Sequence, residues 1–417
     1  MQLRRVVITG VGAVSPLGND VPSFIDGIER GKSAVRFMEG WERYIGLRSH
    51  VAAPAEMKNE KLIPRQSRRY MGRMSIFTVQ AAEQALTNAG IEPGKLSSGR
   101  MGCIIGSTMG SAESINEAFE MLLPKNDLTQ IPSTKFFQSI SHTAVMNVAQ
   151  YLGITGYVMA TSAACASSLQ AIGAGYDLIR LGKQDIVLCG GAEGLHPTVT
   201  GSFDVLFATS THYNNTPQKT PRPFDSARDG LVCGEGSGVL VLEEYERALQ
   251  RNAKIYAEII GYHTCGSGVH VSQSNREAIM TCIEEALNDA FIKPKDIDYI
   301  NAHATATVNG DKEEAGAIRE VFGNTVPVSS LKGYIGHTLG ASGALELIAS
   351  LFMMEKSRIY PTLNLETVCP DCKDIFHVMK PLARQINILI KNCFAFGGIN
   401  ATLVCKKVNH KREREDI

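Results

Sequence analysis

The chain has 417 residues, with 42 Lys and Arg residues against 42 Asp and Glu residues, and 44% of it is hydrophobic. Zero formal net charge argues against a nucleic-acid-binding protein and against one that coats acidic membranes, and the apolar content argues against disorder. No apolar run reaches the roughly 18 residues of a transmembrane helix, and the length suits two domains or one doubled domain.

The N-terminal segment begins with charged residues before an apolar run, a pattern that signal peptides share. The run is short, interrupted by glycine and rich in Val and Ile, so it favours a buried strand and a cytoplasmic protein. Farther along, apolar β-branched runs alternate with helical segments, which predicts an α/β chain. The predicted strands are Arg5–Thr9, Met101–Ile105, Ile186–Cys189, Gly238–Leu242, Ile255–Tyr262, Tyr299–Ala302, Val326–Ser329 and Ala401–Lys406. The predicted helices are Met74–Ala89, Thr143–Tyr151, Ser167–Leu181, Asn275–Asp289, Lys312–Phe322 and Gly343–Lys356, and the charged tail 406–417 is predicted to be a solvated end.

Two of the predicted helices begin alike. Ala166-Ser-Ser168 opens one and Ala341-Ser-Gly343 opens the other, and a reactive side chain precedes each, Cys165 in the first case and His337 in the second. Two similar halves that face each other would bring both helix starts to one site. Chance similarity between small-residue helices is the alternative.

The ten cysteines are scattered along the chain, unlike those of a small disulfide framework, and most are predicted to be small buried hydrophobic residues. One CxxC motif exists, Cys369-Pro-Asp-Cys372. Without a second CxxC or a well-spaced histidine pair, a loop before a predicted strand at Asp374–Met379 is favoured over a metal or redox site.

The segment from Thr161 to Ser168 places Cys165 among small residues at a predicted helix start. Unpaired N–H groups and the positive end of the helix dipole lower the pKa of a thiol there, and small neighbours leave room for a substrate. A buried structural cysteine at a tight strand–helix junction is the alternative.

Two further segments carry histidines. Asn301-Ala-His-Ala-Thr-Ala-Thr307 follows a predicted strand, where His303 is either placed to line a cleft or satisfied within the fold. Lys332 and His337 lie in a segment with four glycines, which permit close backbone approach or positive φ. The glycine spacing matches neither common phosphate-binding pattern, and the lysine alone is equally a solvated loop cation.

Near the C-terminus, Phe394 and Phe396 stand beside a Gly-Gly pair. This pattern suits a mobile gate whose backbone N–H groups can stabilise an oxyanion, or a turn in the core.

In chain order, these motifs resemble those of the β-ketoacyl-acyl-carrier-protein synthases, the elongating type II condensing enzymes of the thiolase superfamily. They are TSAACASS, NAHATAT, SSLKGYIGHTLGASG and FAFGGIN, with VVITGVGAVSPLG at 6–18 and RPFDSARDGLVCGEGSG at 222–238 in addition. The resemblance extends from about residue 3 to residue 407. It implies an α/β, thiolase-like fold of two related βαβαβαββ halves in five layers. The half 1–250 would carry the nucleophilic cysteine, and the half 251–417 the two catalytic histidines.

The resemblance also implies a decarboxylative Claisen condensation of malonyl-ACP with an acyl chain, where ACP is the acyl carrier protein. Cys165 would hold the acyl chain as a thioester, and His303 and His337 would stabilise the enolate formed by loss of carbon dioxide. Lys332, paired with Glu314, would orient the site, and Phe396 would supply an oxyanion N–H and gate the acyl site together with Phe394. The implied substrate-binding residues are Thr305 and Thr307 for the pantetheine arm, Met109 for the acyl pocket, and His270 and Ser272 near the malonyl pocket.

No metal and no tightly bound cofactor is expected, because phosphopantetheine arrives on the carrier protein with the acyl-ACP and malonyl-ACP substrates. The family further implies a homodimer, or a heterodimer with a chain-length-factor-like subunit. The charge and hydropathy described above predict neither nucleic acid nor membrane as a partner. Four arginines, at 65, 68, 69 and 73, are the candidate carrier-protein docking patch, and a solvated helix face is the alternative.

Departures from the family's usual motifs, such as Ala304 and Ala395 where it has glycines, indicate a divergent ketosynthase, with a specialised polyene or polyketide pathway as one possibility beside fatty-acid elongation. Two alternatives stay open. A non-catalytic, chain-length-factor-like subunit would typically lack the cysteine, and a thiolase acting on coenzyme A thioesters would need a second cysteine, for which Cys393 is the candidate.

Overall fold

A computed structural model of the chain describes residues 3–92 and 99–408. The strands are β1 Val6–Val14, β2 Arg36–Phe37, β3 Val51–Ala52, β4 Met101–Gly106, β5 Val158–Thr161, β6 Ile186–Glu193, β7 Gly236–Glu244, β8 Ala257–Gly266, β9 Tyr299–Asn301, β10 Pro327–Ser329, β11 Arg358–Ile359, β12 Phe376–His377, β13 Leu382–Ala383, β14 Ile388–Ala395 and β15 Ile399–Lys406. The helices are α1 Val21–Glu29, α2 Arg65–Arg68, α3 Arg73–Ala89, α4 Ala112–Leu122, α5 Ser133–Ser139, α6 Thr143–Leu152, α7 Ser167–Arg180, α8 Pro197–Asp204, α9 Tyr245–Gln250, α10 Arg276–Asp289, α11 Val308–Phe322, α12 Lys332–Ile335 and α13 Ser342–Lys356.

An eleven-stranded sheet runs through the described part of the chain in the order β12-β10-β9-β14-β15-β8-β1-β7-β6-β4-β5. The sheet contains the same arrangement twice. Each half of the chain contributes five strands, and when these are numbered 1 to 5 in chain order, both halves show the spatial order 3-2-4-5-1. The first series is β5-β4-β6-β7-β1 and the second is β10-β9-β14-β15-β8. The pairings match as well, parallel between the first three strands of each series and antiparallel between the rest. The two series meet where β1 pairs antiparallel with β8. The resemblance between the two helix starts is therefore part of a structural repeat rather than chance.

The helices complete five layers. The helices α7 and α13 form the middle layer, because each packs against strands of both series. On the outer faces, α3 and α6 cover the first series, while α10 packs on β8 and β15 and α11 packs on α10. Helix α13 is buried on nearly its whole circumference, as expected for a helix enclosed between two sheets.

Glycines set the close approach of α3 to β1. A Cβ atom at Gly12 would stand 1.9 Å from the carbonyl oxygen of Ala81, and one at Gly10 would stand 2.3 Å from that of Ala85. This proximity lets α3 side chains serve the part of β1 that lies beyond its pairing with β8: the Val11 N–H donates to Asn88 Oδ1 and the Ala13 N–H to Gln84 Oε1. The apolar, glycine-containing start of the chain is thus a buried strand.

Each predicted helix and strand up to Val326–Ser329, and the last strand, overlaps an observed one, with ends that differ by a few residues. The predictions missed the strands β2, β3, β5, β11, β13 and β14 and the helices α1, α2, α4, α5, α8, α9 and α12. The strand predicted at Asp374–Met379 is reduced to β12. Residues 409–417 of the predicted solvated tail lie outside the described residues. In the part of the chain that the structure describes, no helix is both long and apolar enough to span a membrane.

Candidate active site

Cys165 lies in a tight turn between β5 and α7. The turn, Ala164–Ala166, is a 3₁₀ helix that leads directly into α7, and Ala164 adopts a left-handed φ of +46°. The Ser167 hydroxyl donates to the carbonyl of Ala164 and accepts from the N–H of Ala163, which fixes the turn from within. Cys165 is thereby held at the helix start and is only 3% exposed.

The second half of the chain repeats this geometry. A 3₁₀ turn at Leu339–Ala341 leads into α13, and Leu339 has a φ of +48°. The two helix starts touch, because the N–H of Ala344 donates to the hydroxyl of Ser168 at 3.1 Å and a Cβ at Gly343 would lie 2.8 Å from the same oxygen. The small residues at both helix starts are what permit this contact.

The contact brings three reactive groups together. His337 Nε2 lies 2.9 Å from Cys165 Sγ, and the His303 and His337 rings meet edge to face with centroids 5.2 Å apart. The thiol sulfur and one nitrogen of each ring all lie within 4.8 Å of one another. Both histidines are buried, at 7% and 1% exposure. One substrate carbonyl oxygen could therefore reach both rings while its carbon faces the sulfur.

Burial sets the protonation of this group. It raises the pKa of Cys165 to about 12, against the opposing charge of Lys332, so the prediction of a lowered thiol pKa from the helix start is wrong: that local effect is outweighed by loss of solvent. Burial and then the Lys332 charge lower the pKa of both His303 and His337 well below the usual value. The resting site therefore holds a neutral thiol and two neutral imidazoles. His337 Nε2, 2.9 Å from the sulfur, is in position to accept the thiol proton.

Lys332 is fully buried behind the histidines. Its ammonium donates to the carbonyl of His303 at 2.6 Å and to Glu346 Oε1 at 2.7 Å. The prediction that Lys332 pairs with Glu314 is therefore wrong, and Glu346 on α13 is the partner. Lys391 on β14 binds the other oxygen of Glu346 at 2.5 Å, and it too has no exposed surface. Neither Glu346 nor Lys391 was predicted as a site residue.

Glu314 has a different function in the same cluster. It accepts hydrogen bonds from the backbone N–H groups of His303 and Ala304 at 2.8 and 2.7 Å, which fixes the loop after β9. Burial raises its pKa, and those two N–H groups oppose the increase. Its carboxylate orients His303 through the main chain.

Two cavities meet at Phe396. The inner one, about 30 Å³, is lined by Cys165, both histidines and Phe394 among others. The outer one, about 250 Å³, shares Thr307 and Phe396 with it and opens between the segments 206–208 and 229–230 and the start of α11. The Phe396 ring stacks on Phe203 with centroids 5.7 Å apart. The inner space holds about one water molecule, so an acyl chain requires Phe396 to move.

The local backbone suits such movement. Phe396 follows the last residue of β14, and Gly397 and Gly398 after it have φ values of +91° and +71°, where a side chain would add strain. Phe394, by contrast, is buried with its ring edge against His303 at 6.2 Å. The two aromatic residues therefore differ: Phe394 is part of the wall and Phe396 stands at the opening.

The remaining predicted residues lie at varying distances from the thiol. Thr305 and Thr307 line the inner cavity, with their hydroxyl oxygens 3.1 Å apart. Ser272 lines the outer cavity, and His270 is exposed, with its Nδ1 accepting from the N–H of Ser272. Met109 is 43% exposed and does not line the Cys165 cavity.

Three other sequence features have structural explanations. Cys393 is fully buried, burial raises its pKa to about 11, and it does not line the cavity, which leaves a thiolase without its second cysteine. The CxxC motif lies in a loop and a short 3₁₀ turn, as favoured. Arg73 is bound to the buried carboxylate of Glu235 and is not free to dock a partner, whereas Arg65 and Arg69 are exposed.

Comparisons with known proteins agree with this geometry. Residues 3–248 match the model of the β-ketoacyl synthase N-terminal domain, and residues 256–366 match that of the C-terminal domain. The 3-oxoacyl-[acyl-carrier-protein] synthase 1 of Haemophilus influenzae is 36% identical, over 98% of this chain and all of the relative.

Solved structures are equally similar. A β-ketoacyl synthase from Burkholderia phymatum has a TM-score of 0.94 at 41% identity, over 97% of this chain and all of that one. A ketosynthase bound to the hexaketide, in complex with its type II polyketide acyl-carrier protein, has a TM-score of 0.90 at 33% identity, over 98% of this chain and all of that one.

Proposed function

The chain belongs to the β-ketoacyl synthase family, and on that premise we propose how its buried thiol and two imidazoles divide the reaction between them. Family membership makes it an acyl-transferring condensing enzyme of the thiolase-like fold, one that joins a malonyl unit to an acyl chain in fatty-acid or polyketide elongation. The observation that carries the division of roles is the 2.9 Å contact between His337 Nε2 and Cys165 Sγ, with His303 beside them.

Acyl transfer comes first. The Cys165 thiol gives its proton to His337 Nε2 and attacks the thioester carbonyl of acyl-ACP, so the sulfur–carbon bond forms as the pantetheine thiolate leaves and takes up the proton. The backbone N–H groups of Cys165 and Phe396 stabilise the tetrahedral oxyanion. Each donor of this kind is worth roughly 3–4 kcal/mol in other enzymes.

Condensation follows at the same place. Malonyl-ACP binds with its thioester oxygen between His303 and His337. His337, neutral again, shifts its remaining ring proton to Nε2, so both imidazoles donate from Nε2 to that oxygen and stabilise the enolate as carbon dioxide leaves. The enolate carbon attacks the acyl carbonyl on Cys165, and the Cys165 sulfur leaves as a thiolate that takes up a proton from water, which gives 3-ketoacyl-ACP and restores the thiol. Thr305 and Thr307 bind the pantetheine arm at the cavity wall. Every step moves a proton, an acyl group or carbon dioxide, so we propose that the enzyme needs no metal and no cofactor beyond the carrier's own phosphopantetheine.

The exposed edge of the sheet supports a dimer. Strand β5 lies at one end of the eleven-stranded sheet and pairs only with β4 in the described chain. The side chains of Tyr157 and Val158 at this edge are 45% and 44% exposed. An open, apolar edge strand is normally covered by another chain, and pairing with the β5 of a second copy would extend the sheet. A chain-length-factor-like subunit of the same fold would fit the same edge. Val158→Lys should dissociate the assembly in sedimentation analysis, and an unchanged molecular mass would refute this interface.

We also propose that the chain divides at residue 250 into halves that carry the thiol and the histidines, and that the enzyme acts in the cytoplasm. The altered motif residues support a specialised polyene or polyketide substrate. The decisive experiment is a reaction with malonyl-ACP and a panel of acyl-ACPs of varied length and unsaturation. Formation of 3-ketoacyl-ACP that requires Cys165 supports the function, and preference for saturated fatty chains refutes the specialised pathway.

A further inference from the structure

One carboxylate in this protein binds two buried ammonium groups. Glu346 accepts from Lys332 at one oxygen and from Lys391 at the other, and its first oxygen also accepts from the Ser342 hydroxyl at 2.7 Å. All three charged side chains have zero exposure. A single lysine would neutralise Glu346, so the second is in excess of what this one carboxylate requires, and taking it out of water is costly.

The excess charge lies behind the histidines. Lys332 contacts the His303 carbonyl, and Lys391 lies three residues before Phe394, whose ring packs against His303. The other titratable groups that face this cluster are Glu314 on α11, Tyr299 on β9, Cys393 on β14 and the Cys165 thiol. Glu314 is bound to backbone N–H groups rather than to either lysine. Whether Glu314 is protonated or ionised, Lys391 adds one positive charge to the surroundings of the two histidine rings.

We propose that Lys391 is a positioning residue of the decarboxylation step, one whose fixed charge keeps His303 and His337 unprotonated and favours the enolate between them. This inference rests on the proposed function and names a residue that the motifs do not contain.

The chemistry explains why a buried lysine suits this purpose. The enolate needs positive potential, but an imidazolium would also hand its proton to the enolate carbon, which gives acetyl-ACP and wastes the malonyl unit. An ammonium that is locked onto Glu346 supplies potential without a proton in reach of the carbon. The lowered pKa of His303 has the Lys391 charge among its causes, after burial, Lys332 and His337, and that of His337 also includes it.

The test compares Lys391→Met, which keeps the length and removes the charge, with Lys391→Arg, which keeps the charge. Malonyl-ACP decarboxylation is followed from pH 5 to 9 in the full-length enzyme with acyl-ACP present, and both acetyl-ACP and 3-ketoacyl-ACP are quantified. We expect Lys391→Met to move the acid limb of the rate profile upward by roughly one pH unit and to raise the acetyl share as the pH falls. Lys391→Arg should keep the wild-type limb.

A second variant separates charge from packing. Lys391→Met combined with Glu346→Gln removes one charge of each sign, so Lys332 again leaves one positive charge beside the rings. We expect this double variant to return the acid limb towards its wild-type position, although it has lost more hydrogen bonds than the single variant. If Lys391→Met does not fold, Lys391→Gln, which removes the charge and keeps a hydrogen-bond donor for Glu346, takes its place with the same expected shift.

The outcomes are distinct. An unchanged limb and product ratio in a folded Lys391→Met, or a double variant no closer to wild type, overturns the inference and leaves Lys391 as a structural residue. Absence of decarboxylation in the wild-type enzyme would instead overturn the proposed function. Lys254→Met, at a solvent-exposed ion pair with Glu355, is the control for loss of a lysine far from the site.

Discussion

Replacing Glu346 by glutamine should destabilise the protein more than removing either lysine that it binds. Glu346 lies 2.7 Å from the Lys332 ammonium and 2.5 Å from that of Lys391, with no exposed surface on any of the three. Lys332→Met leaves the carboxylate paired with Lys391. Glu346→Gln leaves two ammonium groups side by side in the interior with no anion between them.

The magnitudes follow from this difference. Removing one member of a buried ion pair costs about 3–5 kcal/mol. Because Lys391 still balances Glu346, we expect Lys332→Met to lower the free energy of unfolding by about 3 kcal/mol and Glu346→Gln to lower it by about 5 kcal/mol or more. Burial acts to raise the pKa of Glu346, but the two lysines outweigh it and hold the value at about 2. The carboxylate's contribution is therefore present above pH 4.5 and is lost as the pH falls from there towards 2.

Equilibrium urea unfolding of the three proteins at pH 7 measures the comparison, with circular dichroism and tyrosine fluorescence as independent probes. The expected order of unfolding free energy is wild type, then Lys332→Met, then Glu346→Gln, with a gap of about 2 kcal/mol between the variants. A Glu346→Gln variant as stable as Lys332→Met would mean that the second lysine does not depend on the carboxylate. The charge argument for the cluster would then fail.

The remaining predictions address single groups. Cys165→Ala should lower 3-ketoacyl-ACP formation by at least about a thousandfold in a product assay while circular dichroism stays unchanged; retained activity would exclude the covalent step. Phe396→Ala should open the inner cavity and raise the rate at which iodoacetamide labels Cys165, as read by peptide mass spectrometry; an equal rate would show that Phe396 is no gate. Burial raises the pKa of Glu193 to about 7, so its ionisation destabilises the fold as the pH rises from 4.5 through 7. Glu193→Gln should thus gain about 2 kcal/mol relative to wild type between pH 5 and pH 8 in urea unfolding, and parallel pH dependences would contradict the assignment.

The features that depend on local sequence patterns could be predicted from the sequence. Cys165 starts a predicted helix and His303 follows a predicted strand, so each could be placed at the end of an element, although the strand before Cys165, β5, was not predicted. The repeated small residues at the two helix starts were enough to suggest a doubled fold, because only small side chains allow two helix starts to touch. In the structure that contact runs through Ser168 and Gly343.

Partner choice among buried charges is not a local property. Glu314 and Glu346 both lie within 20 residues of Lys332 along the chain, so the sequence alone does not show which of them pairs with it. The packing of α13 places Glu346 against the Lys332 ammonium. A signal for it existed: Glu346 is the one acid among the apolar residues of the α13 sequence from Ala344 to Met354, where an unpaired charge would be very costly. Lys391 gave a similar signal, a charge within the mostly apolar run Ile388–Ala395, but that run was not predicted as a strand.

The same limit explains the error about the Cys165 thiol. A helix start is readable from sequence, and its effect on a thiol pKa has a fixed sign. Burial is a property of the whole fold, and it acts here in the opposite direction and more strongly. In the proposed mechanism the nucleophile therefore depends on proton transfer to His337 rather than on a thiolate that is present at rest.

The repeat also shows how one scaffold supplies two different chemistries. Both 3₁₀ turns contain a residue other than glycine at a φ near +47°, a conformation that costs of order 1 kcal/mol or more and persists only where packing imposes it. At the position that follows this strained residue, the first half has Cys165 and the second has Gly340. The Gly340 N–H donates to Glu193, which ends β6 as Ala395 ends β14. The two halves therefore share nearly the same backbone geometry, and their different chemical roles come from their side chains. The first half contributes the thiol, and the second contributes both imidazoles and the lysine cluster.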